Sequence, residues 1–90
     1  MDAGARVSRN VRRLRVLASL SQEAFAVDAG IDRTYVSRIE RGLENPTIGA
    51  LERIARALGV DIVDIVSEPP GGRTRLPTLK AGRKPAKKRT

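Results

Sequence analysis

The sequence predicts an all-α domain of five short helices in a compact bundle, followed by a disordered basic C-terminal arm. Two observations predict the helices: apolar residues recur at spacings of three and four, and glycines follow these periodic segments where helices end. A third observation argues against β-structure: only 2% of the residues are aromatic, which disfavours a sheet built on aromatic cross-strand pairs. Ninety residues accommodate a single hydrophobic core.

The first two helices are predicted from periodicity and end signals. The apolar stripe of helix 1 consists of Val7, Val11, Leu14 and Leu17. Ser21 is placed to cap helix 2, because its hydroxyl oxygen can accept a hydrogen bond from a free amide of the first turn. Helix 2 then runs from Gln22 to about Ala29, and Gly30 ends it.

Helix 3 is predicted to begin only three residues after helix 2 ends. Asp32 is its cap, and Ile31 and Val36 have the spacing of a hydrophobic staple. The helix runs to Arg41 and ends at Gly42. Two short helices joined by a tight turn that contains glycine are typical of a helix-turn-helix unit, here residues 22–41.

The last two helices follow a loop over residues 43–46, because the residue before a proline avoids the helical conformation. Thr47 caps helix 4 and Gly59 ends it. The buried stripe of helix 4 is predicted to consist of Ile48, Leu51, Ile54, Ala55 and Leu58. Asp61 can cap a fifth helix over residues 62–66, although the β-branched residues there also permit a strand.

Charge divides the chain into two parts. All ten acidic residues lie in residues 1–68 with ten of the eighteen basic residues, so this part is neutral. Residues 69–90 carry the other eight basic residues and account for the net charge of +8. Because this segment is rich in proline and glycine and poor in apolar residues, it buries too little surface to fold. We expect a folded domain over residues 1–68 and a disordered basic tail over residues 69–90.

The composition also excludes several classes of protein. The chain has no cysteine and no histidine, which removes disulfides, zinc sites and the commonest enzymatic nucleophiles and bases. The acidic residues are scattered, so we expect no enzyme activity, metal, cofactor or small-molecule ligand. No segment resembles a signal peptide or approaches the roughly 20 apolar residues that span a bilayer. We expect a cytoplasmic protein without a membrane partner.

Three segments of the helix-turn-helix region resemble one family. Residues 21–26 (SQEAFA), 30–31 (GI) and 35–42 (YVSRIERG) look like the lambda-repressor and Cro type of helix-turn-helix domain, also called the xenobiotic-response-element family. The resemblance continues from Asn45-Pro46-Thr47 to about residue 66. It implies a five-helix lambda-repressor-like domain that binds double-stranded DNA, with helix 3 in the major groove and helix 2 across the backbone.

The resemblance also implies roles for individual residues. The positions that reach bases correspond to Arg33, Thr34 and Arg38, where arginine can donate two hydrogen bonds to guanine. Arg33 could instead pair with Asp32, and Arg38 could bind phosphate. The positions that bind the DNA backbone correspond to Ser21, Gln22, Tyr35, Arg41 and Asn45.

Two of these backbone-binding residues have a structural alternative, since Ser21 could act only as a cap and Tyr35 could belong to the core. The resemblance further implies a structural ion pair between Arg15 of helix 1 and Glu40 of helix 3. Loss of one partner of a semi-buried pair costs roughly 3 to 5 kcal/mol.

A homodimer is expected for two reasons. One recognition helix reads only a few base pairs, and the fifth helix has more apolar side chains than it can bury inward. We place the dimer interface at Ile62, Val63 and Val66. The resulting function is a sequence-specific transcriptional regulator, a repressor, that binds a pseudo-palindromic operator in the nucleoid. Restriction-modification controller proteins are small regulators of similar design.

Other interpretations stay open. The basic arm is expected to attract phosphates by counterion release, and its Gly82-Arg83-Lys84-Pro85 resembles an AT-hook core with an inserted lysine. The protein could be the antitoxin and autoregulator of a toxin-antitoxin pair, although a basic arm poor in aliphatic residues argues against that. It could also be a helical protein-interaction module without DNA binding.

Overall fold

A computed structural model describes residues 2–70 and contains five α-helices with no strand among these residues. Their bounds are α1 Ala3–Leu17, α2 Gln22–Ala29, α3 Arg33–Glu40, α4 Ile48–Leu58 and α5 Ile62–Val66. The all-α prediction is confirmed, and the fifth segment is a helix rather than a strand. Helix α3 ends one residue earlier than predicted, with Arg41 as its C-cap. Most of the predicted arm, including its AT-hook-like segment, lies outside the described residues.

Each helix begins at a polar side chain that accepts a hydrogen bond from a backbone amide of the first turn. These N-caps are Asp2, Ser21, Asp32, Thr47 and Asp61. Helices α2 and α4 end at Gly30 and Gly59, whose φ angles of 68° and 70° are left-handed and favour glycine. The sequence signals for caps and stops therefore determine the helix boundaries.

The core is aliphatic apart from one phenylalanine and collects side chains from all five helices. Its fully buried large apolar side chains are Val11, Phe25, Val36, Ile39, Ile54 and Ile65. Two residues predicted for the core lie outside it, since Leu17 is 70% exposed and Ile48 is 69% exposed. At about 3.6 residues per turn, Leu17 lies about 80° around α1 from Val7, and Ile48 lies about 120° around α4 from Ile54.

One polar side chain is fully buried in the described part of the chain. The amide nitrogen of Asn10 on α1 donates to the carbonyl oxygens of Ile65 and Ser67, at 2.8 and 2.7 Å. Since buried carbonyl groups need a donor, Asn10 fixes the end of α5 against α1. Pro69 is also buried, so the first residue of the predicted arm packs against the domain.

Candidate nucleic-acid interface

Helices α2 and α3 are joined by a short turn that leaves one face of α3 outward. The amide of Ile31 donates to the carbonyl of Ala26 at 3.0 Å, and the amide of Thr34 donates to the Asp32 carboxylate at 2.8 Å. On the inner side of α3, Val36 and Ile39 are buried. Their burial fixes the rotation of the helix, so the remaining positions form its outer face.

The outer face of α3 is polar and basic. Its members follow the helical spacing i, i+1, i+4, i+5 and i+8, and they are Arg33, Thr34, Ser37, Arg38 and Arg41. Arg33, Thr34 and Arg41 are exposed, and Ser37 and Arg38 are half-buried. Ser37 was not selected from the sequence, although its spacing places it between Arg33 and Arg41 on this face. Guanidinium and hydroxyl groups on one exposed helical face can donate hydrogen bonds to base edges.

The alternative pairing of Arg33 with Asp32 does not occur within residues 2–70. The Asp32 carboxylate caps α3 instead, through Oδ2 and the Thr34 amide. The Arg33 guanidinium therefore makes no ion pair with any described residue. Its donors stay available to a base or a phosphate beyond the protein surface.

Arg38, the third candidate for base reading, already makes hydrogen bonds to the loop after α3 with one edge of its guanidinium. Its Nε donates to Oε2 of Glu44 at 2.7 Å, and its Nη2 donates to the carbonyl oxygen of Leu43 at 3.3 Å. Glu44 lies in the loop between α3 and α4, so this ion pair connects the recognition helix to that loop. Glu44 was not selected from the sequence, because only the fold places this loop residue beside Arg38.

The start of α2 borders the outer face of α3 on one side. Ser21 is exposed, and its Oγ accepts from the amide of Ala24 at 3.0 Å, which leaves its hydroxyl hydrogen free to donate. Gln22 donates one amide hydrogen to Oε1 of Glu40 at 3.1 Å and retains a second. Capping and phosphate binding are therefore compatible at Ser21.

Arg15 and Glu40 form a largely buried ion pair behind α3. The Nε of Arg15 donates to Oε2 of Glu40 at 2.6 Å and its Nη2 to Oε1 at 3.0 Å, with side-chain exposures of 13% and 4%. A further donor of Arg15 reaches the carbonyl oxygen of Leu20 at 2.7 Å. The hydrogen bonding that Arg15 donates to the Glu40 carboxylate raises the pKa of Arg15, so the guanidinium stays charged at all physiological pH values. Together with Gln22, the pair holds α1, the start of α2 and the end of α3 in one arrangement.

The end of α3 and the start of α1 form the opposite border of the outer face. A cleft of about 410 Å³ lies between them, and Arg9, Arg41 and Asn45 are among its exposed lining residues. The hydroxyl of Ser8 donates to the carbonyl oxygen of Glu40 at 2.7 Å, which joins the two helices beside the cleft. Arg9 was not selected from the sequence, because contact between α1 and the loop after α3 becomes visible only in the fold.

Tyr35 differs from the other candidates for backbone binding. It is half-buried and packs against the hydrophobic core. Tyr35 therefore has the core role that was its alternative to phosphate binding. A phosphate contact by the phenol hydroxyl would be an additional function of a packed side chain.

The residues predicted for a dimer interface lie on α5. Val63 is 62% exposed, and Ile62 and Val66 are half-buried against the core. Ile65 is the fully buried side chain of this short helix, whereas Val63 faces outward. The exposed valine and its two partly covered neighbours form an apolar surface on α5.

Residues 2–70 contain neither a helix that could span a membrane nor a metal-ligating cluster. None of the five helices in this part of the chain is long and apolar enough to cross a membrane. The same residues contain no cluster of three metal-ligating side chains.

Comparison with known proteins agrees with this geometry. The helix-turn-helix family model HTH_3 matches residues 11–65, which is more than half of the chain. A hypothetical transcription factor of Neisseria meningitidis is 40% identical over 80 residues, covering 89% of this chain and 74% of the relative. The control protein C.BamHI of Bacillus amyloliquefaciens is 42% identical over 57 residues, covering 62% and 70% of the two chains.

Solved structures give the same result. The restriction-modification controller protein C.AhdI from Aeromonas hydrophila is similar with a TM-score of 0.67 and 32% identity, covering 69% of this chain and 94% of that one. The controller protein C.Esp1396I, solved as a tetramer in complex with its natural 35 base-pair operator, has a TM-score of 0.66 and 37% identity, covering 71% and 86% of the two chains. The chain therefore belongs to the HTH_3 family of helix-turn-helix transcriptional regulators.

Proposed function

We propose that this protein is a sequence-specific DNA-binding transcriptional regulator that represses from a pseudo-palindromic operator. The observation that carries the proposal is the outer face of α3, where Arg33 and Thr34 are exposed at the start of the helix. In this geometry the N-terminal residues of the recognition helix contact base edges. Double-stranded DNA is then the partner, and no catalytic step or cofactor is needed.

The roles within this function follow from position. Arg33, Thr34 and Arg38 read bases, because they project from the outer face of α3. The residues that contact the DNA backbone border that face on both sides. They are Ser21, Gln22, Arg41 and Asn45, with Tyr35 as a weaker member. A protein that binds chromosomal operators acts at the nucleoid in the cytoplasm.

A homodimer through α5 completes the proposal. Val63 is exposed, and burying it with Ile62 and Val66 against a second copy removes apolar surface from water. A two-fold dimer presents two copies of α3 to two half-sites. The structure of C.Esp1396I as a tetramer on its operator supports an oligomeric mode of binding.

Two observations weigh against the other functions. Arg33 and Arg41 are exposed without an ion partner in the described part of the chain, which favours a polyanion over a neutral protein surface. The relatives include restriction-modification controller proteins and an immunity repressor, which are regulators. These two observations favour transcriptional regulation over the antitoxin and the protein-interaction module.

Selection of binding sites by the purified full chain from random duplexes tests the proposal. We expect enrichment of a pseudo-palindromic sequence, and protection of both half-sites in a footprint. As a control, the same selection with R33A should lose the preference at symmetric positions in each half-site. Recovery of duplexes with no shared sequence would contradict sequence-specific binding.

A further inference from the structure

The ion pair between Arg38 and Glu44 decides which part of the Arg38 guanidinium is available. A guanidinium group has five N–H donors. The Nε hydrogen points to Oε2 of Glu44, and one Nη2 hydrogen points to the carbonyl oxygen of Leu43. Both bonds use the same edge of the group, which faces the loop between α3 and α4. The other end, formed by Nη1 and the second Nη2 hydrogen, makes no hydrogen bond with any of residues 2–70.

This free end has the geometry of a base reader. Two neighbouring N–H donors of arginine match the O6 and N7 acceptors of guanine in the major groove. An arginine side chain that makes no contact with the protein loses conformational entropy when it binds a base. Arg38 already has a fixed edge, because Glu44 and the Leu43 carbonyl hold it from the other side.

Charge distinguishes Arg38 from the other arginines of the outer face. The Glu44 carboxylate cancels the charge of Arg38, whereas Arg33 and Arg41 have no ion partner among residues 2–70. A neutral pair adds little to counterion release, and a phosphate placed beside it would be repelled by the carboxylate. Arg38 can still donate hydrogen bonds to a base edge, because these bonds need correctly directed N–H groups rather than a net positive charge.

We propose that Glu44 is a positioning residue that orients Arg38 toward a guanine edge and so determines specificity for that base pair. The proposal rests on the proposed function and settles the choice for Arg38 in favour of base reading. Glu44 contacts the protein only, and acts through Arg38.

A set of variants on the full chain tests this role with the selected operator and a random duplex as probes. The partly exposed pair contributes little to folding, so E44A should remain folded, which thermal melting checks. We expect E44A to lower the ratio of operator affinity to random affinity by about tenfold. E44Q keeps an oxygen that accepts from Nε and should retain most of the ratio. E52Q removes one charge from an exposed position of α4 and should leave the ratio unchanged.

A double-mutant cycle then assigns the effect to Arg38. In an R38A background, E44A should no longer change the ratio, because the group that it positions is absent. Equal changes of both affinities in E44A, or the same loss of ratio in the R38A background, would overturn the proposal. A wild-type chain that discriminates no duplex from random DNA would contradict the proposed function itself. A wild-type chain that discriminates as E44A does would contradict only the role of Glu44.

Discussion

The guanidinium of Arg15 and the carboxylate of Glu40 form two hydrogen bonds, at 2.6 and 3.0 Å, between α1 and the last residue of α3. Glu40 also accepts from Gln22 at the start of α2. One carboxylate thus fixes the end of α3 relative to α1 and to the start of α2. The geometry of the candidate DNA-binding surface therefore depends on a side chain that is only 4% exposed.

Removing Glu40 should therefore destabilise the fold. We expect E40A to lower the free energy of unfolding by about 3 kcal/mol, because the largely buried Arg15 would lose its partner. Urea unfolding measures this change, and E52A on the exposed side of α4 is the matched control. A loss in E40A no larger than in E52A would contradict the structural role of the pair.

Arg33 should contribute specificity. We expect R33A to weaken binding to the selected operator by about 1 to 3 kcal/mol and to leave binding to random duplexes nearly unchanged, since one bidentate base contact is lost. Mobility shifts on the two DNAs measure the difference. Equal losses of affinity for the two DNAs would instead indicate that Arg33 binds phosphate.

Arg41 should behave in the opposite way. It lies at the end of α3 beside the cleft with Arg9 and Asn45, where the DNA backbone would pass. We expect R41A to weaken binding to all duplexes alike, with a slope of log affinity against log salt that is lower by about one. An unchanged slope would place Arg41 outside the interface, and R33A serves as the comparison.

Most of the fold was predictable because its boundaries depend on local chemistry. The N-caps Ser21, Asp32 and Thr47 act within their own first turn, and Gly30 supplies a left-handed residue. The hydrogen bonds of Asn10 were not predictable. Their acceptors, the carbonyl oxygens of Ile65 and Ser67, lie 55 and 57 positions away along the chain, and the donor is a polar side chain inside an apolar stripe. Glu44 was missed for a related reason, since a loop acid acquires a role only when the fold places it beside Arg38.

The dimer can be tested with two exposed valines. V63D places a charge in the apolar surface of α5, whereas V27D places the same charge on the outer side of α2, where Val27 is 75% exposed. We expect V63D to lower operator affinity and the dimer fraction in sedimentation without unfolding the monomer. V27D should sediment as the wild type does. A wild-type protein that stays monomeric well above the concentration that saturates the operator, and binds half-sites equally well, would refute the dimer.

The basic arm should supply attraction without base preference. Pro69 is buried, so a chain ending at Pro70 keeps the packed residues and loses all eight basic residues of the arm. We expect this chain to fold and to retain its preferred sequence. Its plot of log affinity against log salt should be shallower by roughly 0.9 for each phosphate contact removed. A slope equal to that of the full chain would mean that the arm does not touch DNA.

The central claim is that α3 reads base edges, and the most direct test is the ratio of two dissociation constants. Titration of the full chain at about 0.15 M salt should be made with the selected operator and with a scrambled duplex of the same composition. We expect the chain to bind the operator at least about 10³-fold more tightly than the scrambled duplex. Equal affinities for the two duplexes would contradict it.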